Sequence, residues 1–318
     1  ERSNAHPKAL EELRMIVSHL IEREYKGDIN QNLSFADQLV ELARLFRQRL
    51  TSLVAHWLRV GYCQGNFNSD NCAAGGFTLD YGPFGFCEIF DPWFQPWTGG
   101  GEHFAFFNQP RAAEANYYMF WKAVRLLLAE DADALEQFDQ VGRGFAEAMQ
   151  TQIQNMWAAK LGLTEFNPEL FQKLMQLMTH SEVDYTIFFR ELSHIPDDVS
   201  ALKKSFYVKT SPQLDEQWQA WLKSWRDLVM NDGPVEISLA EISTKMKQTN
   251  PKYTWREWLI VPAYQQAMQG DYTLVRELQA VLSHPYDEQS QEIEDKYYRL
   301  RPSTFSNVGG VSHYSCSS

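Results

Sequence analysis

Cysteine is scarce in this chain, which has four cysteines in 318 residues. A secreted domain that depends on disulfides for its stability carries many more, so a disulfide scaffold of that kind is excluded. The four positions contain no pair at the spacing of zinc ligands; they are Cys63, Cys72, Cys87 and Cys316. We therefore expect neither a secreted disulfide-rich protein nor a structural zinc site.

Basic residues are also in the minority. Lys and Arg number 29 against 41 Asp and Glu, which gives a formal net charge of −12. Nucleic-acid binding depends on cationic side chains that neutralise phosphates, so this balance argues against a nucleic-acid partner. An acidic surface disfavours anionic membranes too, and no apolar run approaches the roughly 20 residues that span a bilayer. We expect no nucleic-acid partner and no membrane partner.

Motifs of two other kinds of site are missing. There is no Gly-x-Ser-x-Gly sequence, so the chain lacks the nucleophile motif of a serine hydrolase. Upstream of Gly61 there is no glycine-rich phosphate loop and no strand lysine, and residues 1–60 have helical periodicity instead. A nucleotide site in this chain would therefore lack most of its phosphate cradle.

Helical periodicity covers most of the chain. Helices are predicted at Lys8–Tyr25, from about Ser34 to Gly61, and at Ala112–Leu128, Asp133–Leu161, Glu169–Met178, Tyr185–Leu192, Leu214–Met230, Leu239–Gln248, Trp255–Gln269 and Tyr272–Leu282. Between them we expect a mobile loop from Pro92 to about Asn108, a linker at Pro196–Pro212 and turns after Pro285. The sequence predicts a mainly α protein with at most a short two-stranded element near Phe77–Leu79.

Some residues in these helices are given purely structural roles. Asp184 and Arg190 are interpreted as members of an internal salt bridge. The methionines and aromatic residues that recur at helical spacing between Phe138 and Trp157 are interpreted as core, because such a stripe is far more often core than a cofactor site.

The stretch Gly61–Asp91 differs from the helical segments, since it is short, aromatic and rich in Gly, Asn and Asp. It has two acidic centres ten residues apart, Asp70 and Asp80, with Gly75-Gly76 between them. Glycine enters positive φ without steric cost, so this pair predicts a chain reversal before Phe77–Leu79. The two carboxylates are then expected to face one cavity.

Phosphoryl and nucleotidyl transfer need a carboxylate that accepts the proton of the attacking hydroxyl and oxygen ligands that hold Mg²⁺ against the phosphates. We predict Asp70 as this base, Asn71 as a neutral metal ligand, and Asp80 as the charged metal ligand that also binds the cofactor. Their order matches the catalytic-loop Asp and Asn and the Asp-Phe-Gly Asp of protein kinases. The competing interpretation is a plain turn, because Asp and Asn side chains often bond the local backbone.

Longer motifs favour the catalytic interpretation. The runs Asn68-Ser69-Asp70-Asn71, Phe77–Phe86 (FTLDYGPFGF) and Phe90-Asp91-Pro92 together resemble the selenoprotein O family, protein-kinase-like enzymes that transfer AMP to protein hydroxyls. The resemblance spans most of the chain. Further matches follow in the family's order at Asn108-Gln109-Pro110, Asp184–Arg190, Asn250–Tyr253 with Arg256, Pro285–Gln289 and Cys316-Ser317-Ser318.

The resemblance implies a protein-kinase-like C-terminal lobe at residues 1–205, with the catalytic loop and activation segment within 61–110. Residues 206–318 would form a helical C-terminal extension with a flexible tail. ATP and Mg²⁺ are the implied cofactors, and proteins bearing Ser, Thr or Tyr hydroxyls are the implied substrates. The compartment implied is mitochondrial for a eukaryotic source and cytoplasmic for a bacterial one.

Two cysteines acquire a candidate role from the same resemblance. Cys87 lies in the activation segment and Cys316 is third from the end, and the family suggests redox control through a bond between these regions. The competing interpretation is that Cys87 is a small buried apolar residue and Cys316 an untethered thiol.

The chain departs from the family pattern at several places. Gln64-Gly65 replaces the usual His-Gly, Ser69 replaces Thr, and residues 93–103 lack the expected Gly-Arg-Tyr. The family's N-terminal lobe, which holds the nucleotide's phosphates, has no counterpart in this chain. Its start at Glu1, without a methionine, is interpreted as an internal position in a longer protein.

The resemblance therefore assigns this chain the base and metal half of an AMP-transfer site, inactive without the other lobe. Two alternatives remain open. The same Asp70, Asn71 and Asp80 serve phosphate transfer equally well, so the first alternative is a kinase. The second is a non-catalytic pseudokinase module that binds a partner.

Overall fold

The structure is a computed structural model that describes His6 and residues 8–79, 82–97, 101–231 and 238–305. Twelve α-helices lie within these ranges: α1 (Ala9–Glu24), α2 (Phe35–Val60), α3 (Gln109–Val124), α4 (Ala132–Arg143), α5 (Phe145–Lys160), α6 (Pro168–His180), α7 (Tyr185–Leu192), α8 (Pro212–Asn231), α9 (Leu239–Thr249), α10 (Glu257–Ala267), α11 (Thr273–Leu282) and α12 (Gln291–Tyr297). The prediction of a mainly α protein is confirmed. None of the helices described is long and apolar enough to cross a membrane.

The small sheet lies at a different place from the one predicted. It pairs β1 (Tyr62–Cys63) with β2 (Gly85–Phe86) in antiparallel register. The predicted run Phe77–Leu79 makes only an isolated bridge, between Thr78 and Cys72. Phe77 and Leu79 are 44% and 51% exposed, so this run has no buried apolar face to stabilise a ladder.

The predicted single helix over Asp133–Leu161 is wrong, because the chain breaks between α4 and α5 at Gly144. Arg47 of α2 donates a hydrogen bond from Nη1 to the Val141 carbonyl at 2.9 Å. A Cβ at Gly144 would lie 2.6 Å from that same nitrogen. Glycine therefore leaves room for an arginine that comes from a distant part of the sequence.

Two segments in the second half of the chain contain more regular structure than predicted. Within the candidate linker, Val199–Ser205 forms a 3₁₀ helix that packs against α7 and buries Val199 and Leu202. After Pro285 the chain forms α12 rather than turns alone, and Ser290 caps it by accepting a hydrogen bond from the backbone N–H of Ile293 at 3.4 Å.

The expected irregular segment before Asn108 contains two short 3₁₀ turns, Gly101–Phe104 and Phe106–Asn108.

The chain divides into two compact units. The first comprises Glu1–Ala55, Phe67–Tyr81 and Asn108–Gln152, and the second comprises His56–Asn66, Gly82–Phe107 and Ile153–Ser318. The division predicted from sequence, between residues 205 and 206, stays a prediction, and both sides of it lie in the second unit.

Aromatic side chains fill the core of both units. In the first, the Tyr117 ring lies 4.8 Å from that of Phe145, and its hydroxyl donates to the Ala43 carbonyl at 2.9 Å. In the second, three buried tryptophans of α8 donate their indole N–H groups to Ser181, Leu170 and Leu161, and they are Trp218, Trp221 and Trp225. The stripe from Phe138 to Trp157 is buried as well, at Phe138, Phe145, Met149, Met156 and Trp157, so its interpretation as core is confirmed.

The predicted internal salt bridge between Asp184 and Arg190 is wrong, because each residue pairs with a different partner. Asp184 accepts two hydrogen bonds from Arg256, at 2.6 and 2.9 Å, and also caps α7 at the backbone N–H of Ile187. Arg190 instead donates to Glu288 at 2.6 Å. Six residues along a helix amount to about one and two-thirds turns, so the two side chains leave α7 in different directions.

Candidate functional site

Before and after the predicted site in the sequence lie the two strands of the β1–β2 sheet. The backbone N–H of Cys87 donates to the Gly61 carbonyl at 2.7 Å. Beyond the strands, Gly65 has φ +74°, and a Cβ there would lie 1.6 Å from the Pro83 carbonyl oxygen. Only glycine tolerates both the conformation and this approach. The chain entering and the chain leaving the predicted site are thus held against each other.

The predicted base lies on a 3₁₀ turn formed by Ser69–Asn71 in the first unit. The backbone N–H of Asn71 donates to the Asn68 carbonyl at 2.9 Å, and that of Cys72 donates to the Ser69 carbonyl at 3.3 Å. Asp70 is exposed and Asn71 is half-buried. An exposed carboxylate on a turn can meet an incoming hydroxyl, which a general base must do.

Asn116 of α3 holds the start of this turn. Its Nδ2 donates to the Phe67 carbonyl at 2.8 Å, while its Oδ1 accepts from the Ser69 hydroxyl at 3.1 Å. The Asn116 side chain is buried, so its hydrogen bond to Phe67 is shielded from water, whereas the one from the exposed Ser69 is only partly buried. Ser69, which stands where the family pattern has Thr, thus uses its hydroxyl to bond this asparagine.

Gln64, another departure from that pattern, is buried in the second unit. It accepts a hydrogen bond from the Tyr62 hydroxyl at 2.5 Å. The amide thus occupies a buried polar position with a fixed partner beside the strand β1.

The predicted reversal at Gly75-Gly76 is confirmed. Gly76 has φ +77°, and its backbone N–H donates to the Ala73 carbonyl at 2.9 Å. The chain then returns so that Thr78 bridges Cys72. The turn therefore lies between the predicted base and the predicted metal ligand, as the sequence indicated.

Asp80 lies outside the residues that the structure describes, so its approach to Asp70 and Asn71 stays a prediction. Among the residues described, no group of three or more His, Cys, Asp or Glu side chains could hold a metal ion. A carboxylate and an amide oxygen are nevertheless the hard donors that Mg²⁺ prefers, and Asn71 is a partly exposed residue. The predicted donor pair of Asn71 and Asp80 therefore fits Mg²⁺ by its chemistry.

The predicted redox pair is also only half described, because Cys316 lies outside the described ranges. Cys87 is 1% exposed, and its thiol contacts the Ile89 carbonyl at 3.3 Å. Burial raises the pKa of this thiol above its ordinary value. Since the thiolate is the reactive form, Cys87 would exchange with another thiol only after this segment opens. The bond to Cys316 stays a prediction.

A comparison with protein-family models shows which family the chain belongs to. The family model described as protein adenylyltransferase SelO matches residues 3–283. The chain belongs to the SelO family. The resemblance that rested on the motifs around Asp70 and Asp80 is thereby confirmed.

Relatives of this chain include bacterial proteins described as protein nucleotidyltransferase YdiU. The one from Aromatoleum aromaticum is 33% identical over 280 residues, which cover 85% of this chain and 52% of the relative. Those from Azoarcus sp. and Flavobacterium johnsoniae are 31% and 32% identical, and each match covers 97% of this chain and 59% of the relative. The chain thus spans about half to three fifths of the length of these curated relatives.

Proposed function

We propose that this chain supplies the base and metal half of a site that transfers AMP from ATP to Ser, Thr or Tyr hydroxyls of proteins. The observation that carries the proposal is the exposed Asp70-Asn71 turn, anchored at its start by Asn116 and followed by the Gly76 reversal, in a chain of the SelO family. The fold proposed around it is a protein-kinase-like C-terminal lobe, in which the long helix α2 leads directly into the stretch Gly61–Asp91.

In the proposed reaction Asp70 accepts the proton of the substrate hydroxyl as its oxygen attacks the α-phosphorus of ATP. The bond from that phosphorus to the bridging oxygen breaks, and pyrophosphate leaves. Asn71 and Asp80 would hold Mg²⁺, which when bound neutralises charge on the phosphate oxygens. Asp70 lies on the exposed part of the turn, where a protein side chain can reach it.

Two alternative functions use the same residues differently. A kinase would use Asp70, Asn71 and Asp80 to transfer the γ-phosphate. A pseudokinase module would keep the fold and bind a partner without transferring either group. The SelO family model, with its description as a protein adenylyltransferase, favours AMP transfer over both.

Labelled ATP separates these three functions. With Mg²⁺ present, we expect the full-length protein to leave label from [α-³²P]ATP on an acceptor protein and none from [γ-³²P]ATP. Label from the γ position alone would mean phosphate transfer. Label from neither position, on a protein whose circular dichroism shows it folded, would favour the interaction module. Chelating the metal with EDTA is expected to abolish the α-label.

A further inference from the structure

The turn between the predicted base and the predicted metal ligand is anchored by side chains from the α1–α2 region of the first unit. The Tyr25 hydroxyl, just after α1, donates to the Ala74 carbonyl at 2.5 Å. Arg49 of α2 donates from Nη1 to the Gly75 carbonyl at 3.1 Å. Two consecutive carbonyls of the turn are thus bonded to residues far away in the sequence.

Arg49 is itself held in one orientation. Its Nη1 also donates to the Glu24 carbonyl at 3.1 Å, and its Nη2 donates to the Asp28 carboxylate at 2.5 Å. The guanidinium carbon lies 4.1 Å from the centre of the Tyr25 ring. A planar guanidinium presents its donors in a rigid fork, so these contacts fix its position better than a single ion pair would.

The turn is also packed tightly against this arginine. A Cβ built on Gly76 would lie 2.3 Å from the Cβ of Arg49, and Gly76 has φ +77°. The close approach leaves no room for the turn to move toward α2. With Asn116 bonded to Phe67 and Ser69 at the other end, residues 67–76 are held at both ends, and Asp70 lies between the two anchors.

We propose that Arg49 is a positioning residue for the transfer reaction, because it fixes the end of the turn that carries Asp70 and Asn71. This inference rests on the proposed function. Arg49 acts through the turn, since each of its hydrogen bonds described above goes to a backbone carbonyl or to Asp28. A displacement of about 1 Å in a reacting group can cost about 10²-fold in rate, so small movements of the turn matter.

The test uses Arg49→Met in the full-length protein, with Arg44→Met as the matched control. Arg44 lies on the same helix and, within the described ranges, pairs with its neighbour Glu41 at the surface. We expect Arg49→Met to lower kcat for AMP transfer by roughly 10- to 100-fold while KM for the acceptor protein changes less than about twofold. Hydrogen exchange of the amides in residues 69–76 should become faster in Arg49→Met and stay unchanged in Arg44→Met.

A second variant distinguishes loss of the anchor from unfolding of the whole protein. Tyr25→Phe keeps the ring that stacks on Arg49 and removes only the hydrogen bond to Ala74, so it should give a smaller fall in kcat in the same direction. Unchanged exchange in residues 69–76 of folded Arg49→Met would overturn the anchoring. Faster exchange with wild-type kcat would overturn the positioning role. If the wild-type protein transfers no AMP, the proposed function and the positioning role of Arg49 fail together, whereas the exchange result still decides the anchoring.

Discussion

Replacing Asp70 by Asn in the full-length protein is expected to lower the turnover of AMP transfer by about 10²–10⁴-fold, the usual contribution of a general base. Asparagine has nearly the same shape and keeps one acceptor oxygen, but it cannot take up the proton of the attacking hydroxyl. Asp70 is exposed, so we expect the substitution to have only a small structural effect. We expect ATP affinity to stay within a few-fold of wild type.

Steady-state kinetics and an ATP titration of the same preparation check this prediction. Asp133→Asn, an exposed carboxylate in the first turn of α4, serves as the control and should leave both quantities unchanged. If Asp70→Asn loses ATP affinity as strongly as turnover, Asp70 has a structural role instead. If turnover is unchanged, the base is another residue.

Replacing Arg256 by Met is expected to lower the free energy of unfolding by about 3–5 kcal/mol, because it leaves buried carboxylates without their cation. Arg256 is 2% exposed and Asp184 is fully buried, with 2.6 Å between Nη1 and the carboxylate. Glu88, whose side chain is 10% exposed, lies 3.5 Å from the same nitrogen. Methionine fills a similar volume, so the loss reports the charge rather than a cavity.

The pH dependence of this effect has a definite sign. Burial raises the pKa of Glu88 above its ordinary value, and the charge of Arg256 opposes that rise. Without Arg256 the rise is larger. A carboxyl with a raised pKa in the folded state stabilises the fold while it is protonated, and this contribution is lost as the pH rises through the folded-state pKa. The deficit of Arg256→Met should therefore shrink as the pH falls toward the ordinary pKa of Glu, about 4.3.

Denaturant unfolding at neutral and mildly acidic pH measures both effects. Arg276→Met removes an exposed arginine of α11 and should stay within about 0.5 kcal/mol of wild type. A deficit of less than about 1 kcal/mol for Arg256→Met would show that water or another cation reaches the two carboxylates.

Where local chemistry decides the structure, the sequence predicted it well. The helix α7 has the predicted bounds, Tyr185–Leu192, because its cap Asp184 is adjacent in sequence. The end of α2 and the reversal after Ala73 were predicted because glycines with positive φ, Gly61 and Gly76, mark them. Each of these features depends on a few consecutive residues, so one sequence contains the needed information.

Where a distant partner decides the structure, the sequence could not predict it. The partners of Asp184 and Arg190 are 72 and 98 residues away along the chain. The break before α5 likewise depends on Arg47, 94 residues before the carbonyl it binds. Spacing within a helix carries no signal for such contacts.

The candidate site shows the same division. The acidic residues and the glycine turn were identified from their pattern, whereas Asn116, Tyr25 and Arg49, which hold the loop, were missed. The one signal for them was indirect: a glycine pair at a turn indicates that something lies close to the backbone, but not which residue. Membership of the SelO family could be predicted from the sequence because the family's motifs occur in a fixed order along the chain.

The claim that this chain contributes metal ligands to a nucleotide site is tested most directly by calorimetric titration of Mg·ATP into the full-length protein and its Asp80→Ala variant. Mg²⁺ is normally held by one or two protein carboxylates together with phosphate oxygens and water, so Asp80 is expected to act only when nucleotide and metal are both present. We predict that wild-type protein binds Mg·ATP, that EDTA weakens this binding, and that Asp80→Ala loses the metal-dependent part. Unchanged Mg·ATP affinity in Asp80→Ala would contradict the assignment.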